Sequence, residues 1–317
     1  MYMAKAAIVI VCMNNLKNLF PCLDSIKEQT KIPYEVWVVA YLFSKENLDM
    51  LREKYPWVIV VESNEIRGFS ENNNLALRQV KAQYSLVLND DTLFKEPVLD
   101  ELVASMEKTP NADFMSPKLL YGDGRYQSCG KAPSTILDFL LNIASVSNPN
   151  KKKSRYVNQK GIFKTYNCTG ACFLAKTSVL EKLGYFDEYY FFMPEDLALS
   201  TLANKRGYNL YVDSDIILYH LHQQTGSKVK VATLPAARKG GIYFHSNGSK
   251  ILYKILALYV FAISFLKYLW FLSKGQKINA KAQWHCVETI FSRMSPKQIF
   301  VKYYTELKKY SHGCSNR

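Results

Sequence analysis

The chain has 317 residues, of which 48% are hydrophobic and 21% are charged, a composition that indicates a globular protein and excludes an intrinsically disordered one. Its net charge of +14 is unevenly distributed, because residues 228–317 contain 16 Lys and Arg against two Glu, whereas residues 1–227 contain 25 of each sign. This neutral body with a basic C-terminal part predicts attachment to an anionic partner, either a membrane surface or a nucleic acid.

The elements predicted from periodicity alternate between strands and helices. Strands are predicted at Ala6–Val11, Tyr34–Val39, Val58–Val61, 84–88 and around Leu210–Val212, and ordered segments at Phe114–Leu119 and Tyr166–Ala175. Helices are predicted at Glu46–Lys54, Asn72–Gln79, Val98–Lys108, near Ser178–Leu183 and at Leu197–Lys205, with a first helix through Leu19, Cys22, Leu23 and Ile26. This alternation predicts an α/β fold with a parallel, right-handed, doubly wound sheet. Residues 131–160 contain Pro133, Pro149 and three consecutive lysines, and are expected to form a mobile loop or flap.

The most informative stretch is Asn89-Asp90-Asp91, which ends a short apolar run. A run of this kind is typical of a buried strand in a parallel sheet, and ligands bind at the carboxyl ends of such strands. Two adjacent carboxylates repel each other unless a cation lies between them, which favours a site for a hard divalent cation. The structural alternative is a polar turn in which Asp and Asn bond to their own backbone.

The seven cysteines are scattered and include no CxxC pair. Their distribution favours reduced thiols in a cytoplasmic protein over a disulfide framework or a zinc site. No charged segment with a cleavage site precedes the first apolar run, so no signal peptide is predicted.

Residues 251–272 are strongly apolar and aromatic, yet their longest uncharged run is only the segment Ile255–Leu266. This run is shorter than the roughly 20 residues that span a bilayer. The flanking lysines favour a helix at an anionic membrane surface, and the alternatives are a true span and a helix packed on the body of the protein.

Several short motifs of the chain resemble those of the family 2 glycosyltransferases with the GT-A fold, in particular the rhamnosyltransferase-like members. The motifs, in the family's order, are Asn14-Asn15, Arg67-Gly68-Phe69, Asn72-Asn73-Asn74, Asn89-Asp90-Asp91, Thr169-Gly170-Ala171-Cys172, Gly184-Tyr185-Phe186-Asp187-Glu188, Glu195-Asp196 and a late His. The resemblance covers about residues 5–250 and implies a Rossmann-like, mostly parallel sheet flanked by helices. It implies an enzyme that transfers a sugar from a nucleotide-sugar donor to an acceptor hydroxyl with inversion.

The resemblance also implies a Mg²⁺ or Mn²⁺ ion that neutralises the departing nucleoside diphosphate as a Lewis acid. Asn89-Asp90-Asp91 stands in the place of the family's DxD motif, so Asp91 is the first candidate for a metal ligand and Asn89 a weaker one. Asp90 is expected to contact the donor ribose. The late His is either His220 or His222, and the spacing to the following Gly-Ser pair favours His222 as a further ligand.

The remaining implied site residues bind the donor or act on the acceptor. Donor binding is expected at Asn14, Tyr41, Arg67, Asn72 and Asn74, besides Asn89 and Asp90. By position in the motif, Asp196 is the base that takes the acceptor proton, and Glu195 binds or orients the acceptor. The structural alternative for these two carboxylates is an ordinary complement to a helix dipole.

The chain departs from the family pattern at two places. The family carries a carboxylate after its second strand that contacts the donor's base and ribose, and this chain has Ala40 to Ser44 there, which leaves stacking on Tyr41 or Phe43. The family often has a further Asp and an Arg after Glu-Asp, where this chain has Ala198 and Leu202. The QxxRW motif of processive relatives is absent, which favours addition of a single sugar.

We therefore expect a glycosyltransferase domain at 1–248, with a nucleotide-binding half at 1–95 and an acceptor-binding half at 96–248, followed by a basic, aromatic helical extension at 249–317. The expected acceptor is a saccharide or lipid-linked saccharide of a bacterial surface polysaccharide, and the expected location is the cytoplasmic face of the membrane. One alternative is a GT-A-like subunit that has lost catalysis and serves in binding or assembly. A second alternative is a nucleic-acid binder, which has only the net positive charge in its favour.

Overall fold

The computed structural model describes residues 4–145, 158–221 and 229–313 of the chain. Contacts divide the chain into two compact units. The first comprises Met1–Pro133, Pro149–Asp187 and Asp196–Gln223, and the second comprises Ser134–Asn148, Glu188–Glu195 and Gln224–Arg317. This division differs from the boundary predicted between residues 248 and 249.

The strands of the first unit form one sheet. They are β1 (Ala6–Met13), β2 (Tyr34–Tyr41), β3 (Val58–Ser63), β4 (Tyr84–Asn89), β5 (Thr92–Leu93), β6 (Ala112–Leu120), β7 (Tyr126–Ser128), β8 (Ile162–Thr165), β9 (Cys172–Lys176) and β10 (Asn209–His220). The order across the sheet is β3-β2-β1-β4-β9-β6-β10-β5, and β7 and β8 pair with β6 and β10.

The helices are distributed over both units. They are α1 (Leu16–Gln29), α2 (Lys45–Lys54), α3 (Phe69–Leu77), α4 (Val98–Lys108), α5 (Ile136–Ala144), α6 (Thr177–Leu183), α7 (Glu195–Lys205), α8 (Lys230–Ser246), α9 (Lys250–Ser273), α10 (Lys277–Thr289) and α11 (Pro296–Gly313).

Two of the parallel strands, β1 and β4, are buried on both faces. Along β1, Ile8 and Ile10 belong to one hydrophobic cluster together with Leu19 of α1, while the intervening Val9 belongs to a second cluster together with Leu77 of α3. Side chains alternate between the two faces of a strand, so the continuous apolar run is the pattern that two covered faces require. The carboxyl ends of β1, β2 and β4 therefore meet at one edge of the sheet.

The expected α/β fold with a central sheet flanked by helices is confirmed, and the sheet is mixed rather than wholly parallel. Strand β9 runs antiparallel between β4 and β6, with Leu88 opposite Cys172. Because β9 is itself buried on both faces, its apolar run has no period that distinguishes an antiparallel from a parallel neighbour.

The predicted loop at 131–160 contains a helix, α5. Its N-cap is Thr135, whose hydroxyl accepts a hydrogen bond from the Asp138 amide while the Asp138 carboxylate accepts one from the Thr135 amide. This reciprocal capping box uses Asp in place of the usual Glu or Gln. Residues 146–157 of the predicted loop lie outside the described residues.

The second unit is helical and has its own core. Phe139 and Ile143 of α5 cluster with Ile242 of α8 and with Val260 of α9. A Cβ atom on Gly241 would lie 2.6 Å from the Phe139 ring, so this close approach of α5 and α8 requires glycine. Helix α8 also packs on α9, α10 and α11, which is why residues before 249 group with the C-terminal helices.

Candidate active site at the carboxyl edge of the sheet

The turn between β4 and β5 carries the predicted metal-binding residues. Asp90 and Asp91 follow Asn89 directly and lead into Thr92. The Thr92 hydroxyl donates a hydrogen bond of 2.9 Å to the Asn89 carbonyl oxygen, and the Cys22 thiol lies 3.5 Å from the same hydroxyl. These contacts fix the turn at the edge where open α/β sheets bind their ligands.

His220 lies against this turn. It ends β10 and pairs with Thr92 of β5, and its Nε2 atom lies 3.0 Å from Asp91 Oδ1 and 3.3 Å from Asn89 Nδ2. Both the Asp91 and His220 side chains are buried. The spacing argument had favoured His222, which lies outside the described residues, whereas the antiparallel pairing of β5 with β10 brings His220 to Asp91.

Gln127 of β7 orients the imidazole, a role that no sequence motif indicated. Its Oε1 atom lies 2.9 Å from His220 Nδ1, so a hydrogen on Nδ1 would be donated to it. Nε2 then either carries a second proton and forms an ion pair with Asp91, or directs its lone pair beside the carboxylate. In the second case a divalent cation could bind both the Nε2 lone pair and the Asp91 carboxylate. A histidine whose other ring nitrogen is held by a hydrogen bond is usual at metal sites.

The side chains at the turn fit a cation that is completed by substrate. Within residues 4–145, 158–221 and 229–313, no three His, Cys, Asp or Glu side chains group as a full metal site. Asp91 and His220 supply two ligands of the right chemistry, and Mg²⁺ commonly takes one or two protein ligands together with substrate phosphates and water.

Asp90 adds a second negative charge at the turn. Burial, and then the neighbouring Asp91 carboxylate, raise the pKa of Asp90 to about 7, while the Cys12 thiol that bonds to it acts in the opposite direction. Two carboxylates in one buried turn repel each other, and a bound cation or a ligand hydroxyl relieves this repulsion.

Asp196 is connected to the same edge through the segment that enters β9. Its Oδ2 atom accepts a hydrogen bond of 3.2 Å from the Gly170 amide, and its Oδ1 atom accepts one of 2.7 Å from the Leu197 amide. The carbonyl oxygen of Ala171, the residue after Gly170, accepts a hydrogen bond of 3.0 Å from the Asn89 amide. One short segment thus contacts both the end of β4 and the carboxylate at the start of α7.

Glu195 precedes Asp196 and belongs to a segment of the second unit, Glu188–Glu195. This segment packs on α8, where a Cβ atom on Gly240 would lie 2.8 Å from the Met193 carbonyl oxygen. Only glycine allows this approach without a backbone shift. The contact fixes the chain two residues before Glu195.

The predicted donor-binding residues Asn14 and Tyr41 lie at the ends of β1 and β2. Asn14 has a φ of 49°, and its Oδ1 atom accepts hydrogen bonds from the Ser44 amide and from Asn47 Nδ2. It therefore joins the end of β1 to the start of α2. Tyr41 is the last residue of β2 and is buried.

Arg67, Asn72 and Asn74 surround the start of α3. Arg67 donates to the Ser63 hydroxyl, which in turn donates to Asn72 Oδ1 at 2.7 Å. Asn74 is fully buried, and its side-chain amide exchanges two hydrogen bonds with the Phe186 backbone. These hydrogen bonds hold α3 in place and engage the side-chain amides of Asn72 and Asn74. Donor binding by these two residues stays a prediction.

The chain is similar in sequence and in fold to several known proteins. The model of the family "Glycosyl transferase family 2" matches residues 7–184, which is more than half of the chain. The chain belongs to glycosyl transferase family 2. The matched range contains the turn at Asn89–Asp91 and the segment that enters β9, but ends before Asp196 and His220.

A relative of this family member is the N-acetylglucosaminyl-diphospho-decaprenol L-rhamnosyltransferase of Mycobacterium tuberculosis. The two are 26% identical over 191 residues, an alignment that covers 55% of this chain and 62% of the relative. The alignment thus spans less than two thirds of that relative's length.

Two solved structures share the GT-A fold of the chain. GalNAc-T7 with UDP, GalNAc and Mn²⁺ has a TM-score of 0.54 at 16% identity, over 71% of this chain and 45% of that one. The mannosyltransferase PcManGT from Pyrobaculum calidifontis, in complex with GDP-Man and Mn²⁺, has a TM-score of 0.52 at 16% identity, over 96% and 81% of the two chains. At this identity the likeness establishes the fold.

Proposed function

We propose that this glycosyltransferase family 2 member transfers a sugar from a nucleoside diphosphate sugar to an acceptor hydroxyl with inversion. The observation that carries the proposal is the cluster at the sheet edge, in which Asp91 lies 3.0 Å from His220 and Asp196 is joined to the same edge through Gly170 and Ala171. Acidic, imidazole and amide groups gathered at a strand end suit a phosphorylated donor with a divalent cation.

In this scheme Asp91 and His220 hold a Mg²⁺ or Mn²⁺ ion, with Asn89 beside them. When bound, such an ion supplies Lewis-acid stabilisation of the departing diphosphate. Asp90 accepts a hydrogen bond from a donor hydroxyl, and Gln127 keeps the imidazole of His220 directed at Asp91. Two solved proteins of the same fold that contain Mn²⁺ with UDP or GDP-Man support the choice of ion.

Asp196 is the general base of the proposed reaction. Two backbone amides, those of Gly170 and Leu197, hold its carboxylate in one orientation. Each carboxylate oxygen retains a further lone pair that can accept the proton of the acceptor hydroxyl as that oxygen attacks. Direct displacement in one step inverts the configuration of the sugar carbon.

The proposed acceptor is a lipid-linked saccharide in bacterial surface polysaccharide synthesis, as the diphospho-decaprenol in the relative's name suggests. The chain would then work at the cytoplasmic membrane face. Within the described residues one helix, α9, is long and apolar enough to cross a membrane. Its packing instead supports a helix that lies in the plane of the surface.

The packing of α9 is one-sided. Leu256, Val260 and Ser264 are buried, and α5, α8 and α10 cover this side of the helix. The opposite side exposes an apolar stripe in which successive members are three or four residues apart. The members of this stripe are Ile251, Ile255, Leu258, Ala262, Leu266 and Leu269. A helix with one packed and one exposed apolar face fits an interfacial helix, and the surrounding lysines fit anionic lipids.

The experiment that tests the function is calorimetric binding of UDP, dTDP and GDP, each with and without Mn²⁺, followed by transfer assays with the sugars of the nucleotide that binds. Binding of one nucleotide that depends on Mn²⁺ is the expected result, and it identifies the donor class despite Ala40 in place of the family carboxylate. Absence of binding to all three contradicts the proposal and favours the subunit that has lost catalysis.

A further inference from the structure

Arg238 of α8 is a half-buried cation that has no ion-pair partner in the part of the chain that the structure describes. Its Nε atom is fully buried and has no hydrogen-bond partner in the part of the chain that the structure describes. Its Nη1 atom reaches only Asn142 Oδ1, at the long distance of 3.5 Å. Burial lowers the pKa of the guanidinium, which means that its surroundings disfavour the charge.

The adjacent Lys239 shows that burial of a cation in this unit is normally compensated. Its ammonium group donates hydrogen bonds of 2.9 and 2.7 Å to the carbonyl oxygens of Ile290 and Ser292, which follow α10. Carbonyl oxygens at a helix end are natural partners for a cation. Arg238 has no equivalent pair of carbonyl oxygens among its described contacts.

A second cation lies close to Arg238. Lys267 of α9 donates to the Ile143 carbonyl oxygen and to the Ser145 hydroxyl, both at 2.6 Å, at the end of α5. Burial lowers the pKa of Lys267, and the positive charge of Arg238 lowers it further. The two cations therefore repel each other across the space beside the end of α5.

Among the described residues, no acidic side chain pairs with either cation. No ion pair within the described ranges includes Arg238 or Lys267. All 27 Asp and Glu residues of the chain lie inside the described ranges, so no acidic side chain remains elsewhere. A buried guanidinium nitrogen without a hydrogen-bond partner is unfavourable, and an anionic ligand beside Arg238 and Lys267 would satisfy it.

We propose that Arg238 and Lys267, with Asn142 and Ser145, form a binding site for a phosphate group in the second unit. A guanidinium binds two phosphate oxygens at once, and an ammonium adds a point charge. Asn142 and Ser145 are exposed, so the site opens to solvent and offers amide and hydroxyl donors at its mouth. This site is separate from the sheet edge and does not depend on the proposed sugar transfer.

The phosphate can come from a lipid headgroup or from free phosphate. Inorganic phosphate and water-soluble dihexanoyl phosphatidylglycerol carry the same group and distinguish the two sources. Tighter binding of the lipid identifies a headgroup, and equal or tighter binding of inorganic phosphate identifies a free-anion site.

The test is calorimetric binding of both probes to the full chain in EDTA without nucleotide, conditions that exclude metal-dependent binding at the sheet edge. Arg238→Gln is expected to weaken binding by at least about tenfold, because the bidentate contact is lost. Arg293→Gln is the matched control, since Arg293 is an exposed arginine of the same unit, and it should bind like the parent.

Arg238→Lys keeps the positive charge but loses the bidentate guanidinium. It therefore tests the site if Arg238→Gln does not fold. Weaker binding of both probes by Arg238→Lys supports the site. Two results overturn the proposal: neither probe binds the parent chain, or a folded Arg238 variant binds as tightly as the parent.

Discussion

At the scale of single residues, the candidate site depends on side chains that are far apart in the sequence and meet at the end of β4. Asp91 and His220 contact each other at 3.0 Å, and Gln127 fixes the ring from its other side. Two such ligands give a moderate affinity for a cation, which rises when donor phosphates complete the coordination. Donor binding and metal binding should therefore be coupled.

Asp91→Ala removes one of the two proposed ligands. We expect Mn²⁺-dependent binding of the nucleoside diphosphate to weaken by on the order of a hundredfold, since even an indirect contact to a metal ligand is worth 10–100-fold. Calorimetry measures the effect, and Asp123→Ala, which removes an exposed aspartate from a turn of the same unit, serves as the control. Parent-like affinity in Asp91→Ala would exclude Asp91 as a ligand.

Asp196→Asn tests the proposed base. The amide has one oxygen, which keeps one of the two hydrogen bonds from Gly170 and Leu197, and it cannot take a proton, so donor binding should persist while kcat falls by about 10²–10⁴-fold. Asp215→Asn makes the same change at an exposed aspartate of the same unit and should leave kcat unchanged. A transfer rate near that of the parent would remove Asp196 from the mechanism.

At the scale of elements, α9 explains why a long apolar helix need not cross a bilayer. The helix is about 36 Å long at 1.5 Å per residue, and its 24 residues are enough for a span. One side is nevertheless packed against three helices of the second unit. The other side leaves Ile251 at 74%, Leu258 at 62% and Leu266 at 61% exposure, which suits contact with lipid along the length of the helix.

Leu258→Glu combined with Leu266→Glu places two carboxylates on this stripe. Each buried leucine contributes about 1.5–3 kcal/mol, so binding to vesicles rich in phosphatidylglycerol should weaken by at least about a hundredfold. Co-sedimentation measures the loss. Gln298→Glu with Thr305→Glu adds the same charge at exposed positions of α11 and should bind vesicles nearly as well as the parent. Equal loss in both double variants would mean that charge alone governs binding.

The packing of α5 on α8 gives the second unit a pH-dependent stability. His245 stacks on Phe139 with ring centroids 4.6 Å apart, and burial lowers its pKa from 6.5 to about 4, against the opposing effect of Asp138. The unfolded chain binds this proton at higher pH than the folded chain. Stability is therefore complete above pH 6.5 and is lost as the pH falls towards 4.

His245→Gln should abolish this contribution. The parent is expected to lose on the order of 3 kcal/mol more of its free energy of unfolding between pH 7 and pH 4 than the variant does. Urea unfolding at both pH values measures the difference. If the two proteins lose stability in parallel, His245 is not the group responsible.

At the scale of the whole molecule, the positive charge of the chain is concentrated in the helical second unit. The neutral first 227 residues contain the sheet edge with its buried carboxylates, and the +14 of the remainder lies in the helical unit with the exposed stripe of α9. A basic unit with an apolar face suits an anionic surface, whereas a catalytic edge for anionic donors needs a cation rather than bulk charge.

Much of the first unit was predictable from local pattern. The strands β1 to β4 and the helices between them follow from apolar runs and helical spacing, and the sheet edge at Asn89–Asp91 follows from where the fourth run stops. Helix α5 lies inside the stretch whose prolines and lysines predicted a loop, and the antiparallel direction of β9 has no local signal, because a doubly buried strand has no distinguishing period.

The sequence by itself therefore determined the fold class, the position of the candidate metal-binding turn and the resemblance to its family, because these depend on short-range patterns. Only the tertiary structure decided that His220 contacts Asp91, that Gln127 orients the imidazole, and that the Arg238 Nε atom is buried without a hydrogen-bond partner among the described residues. These contacts arise from strand register and helix packing between distant segments, and no local period encodes them. The tertiary structure also decided which side of α9 is buried, because both sides are apolar and only the packing of α5, α8 and α10 distinguishes them.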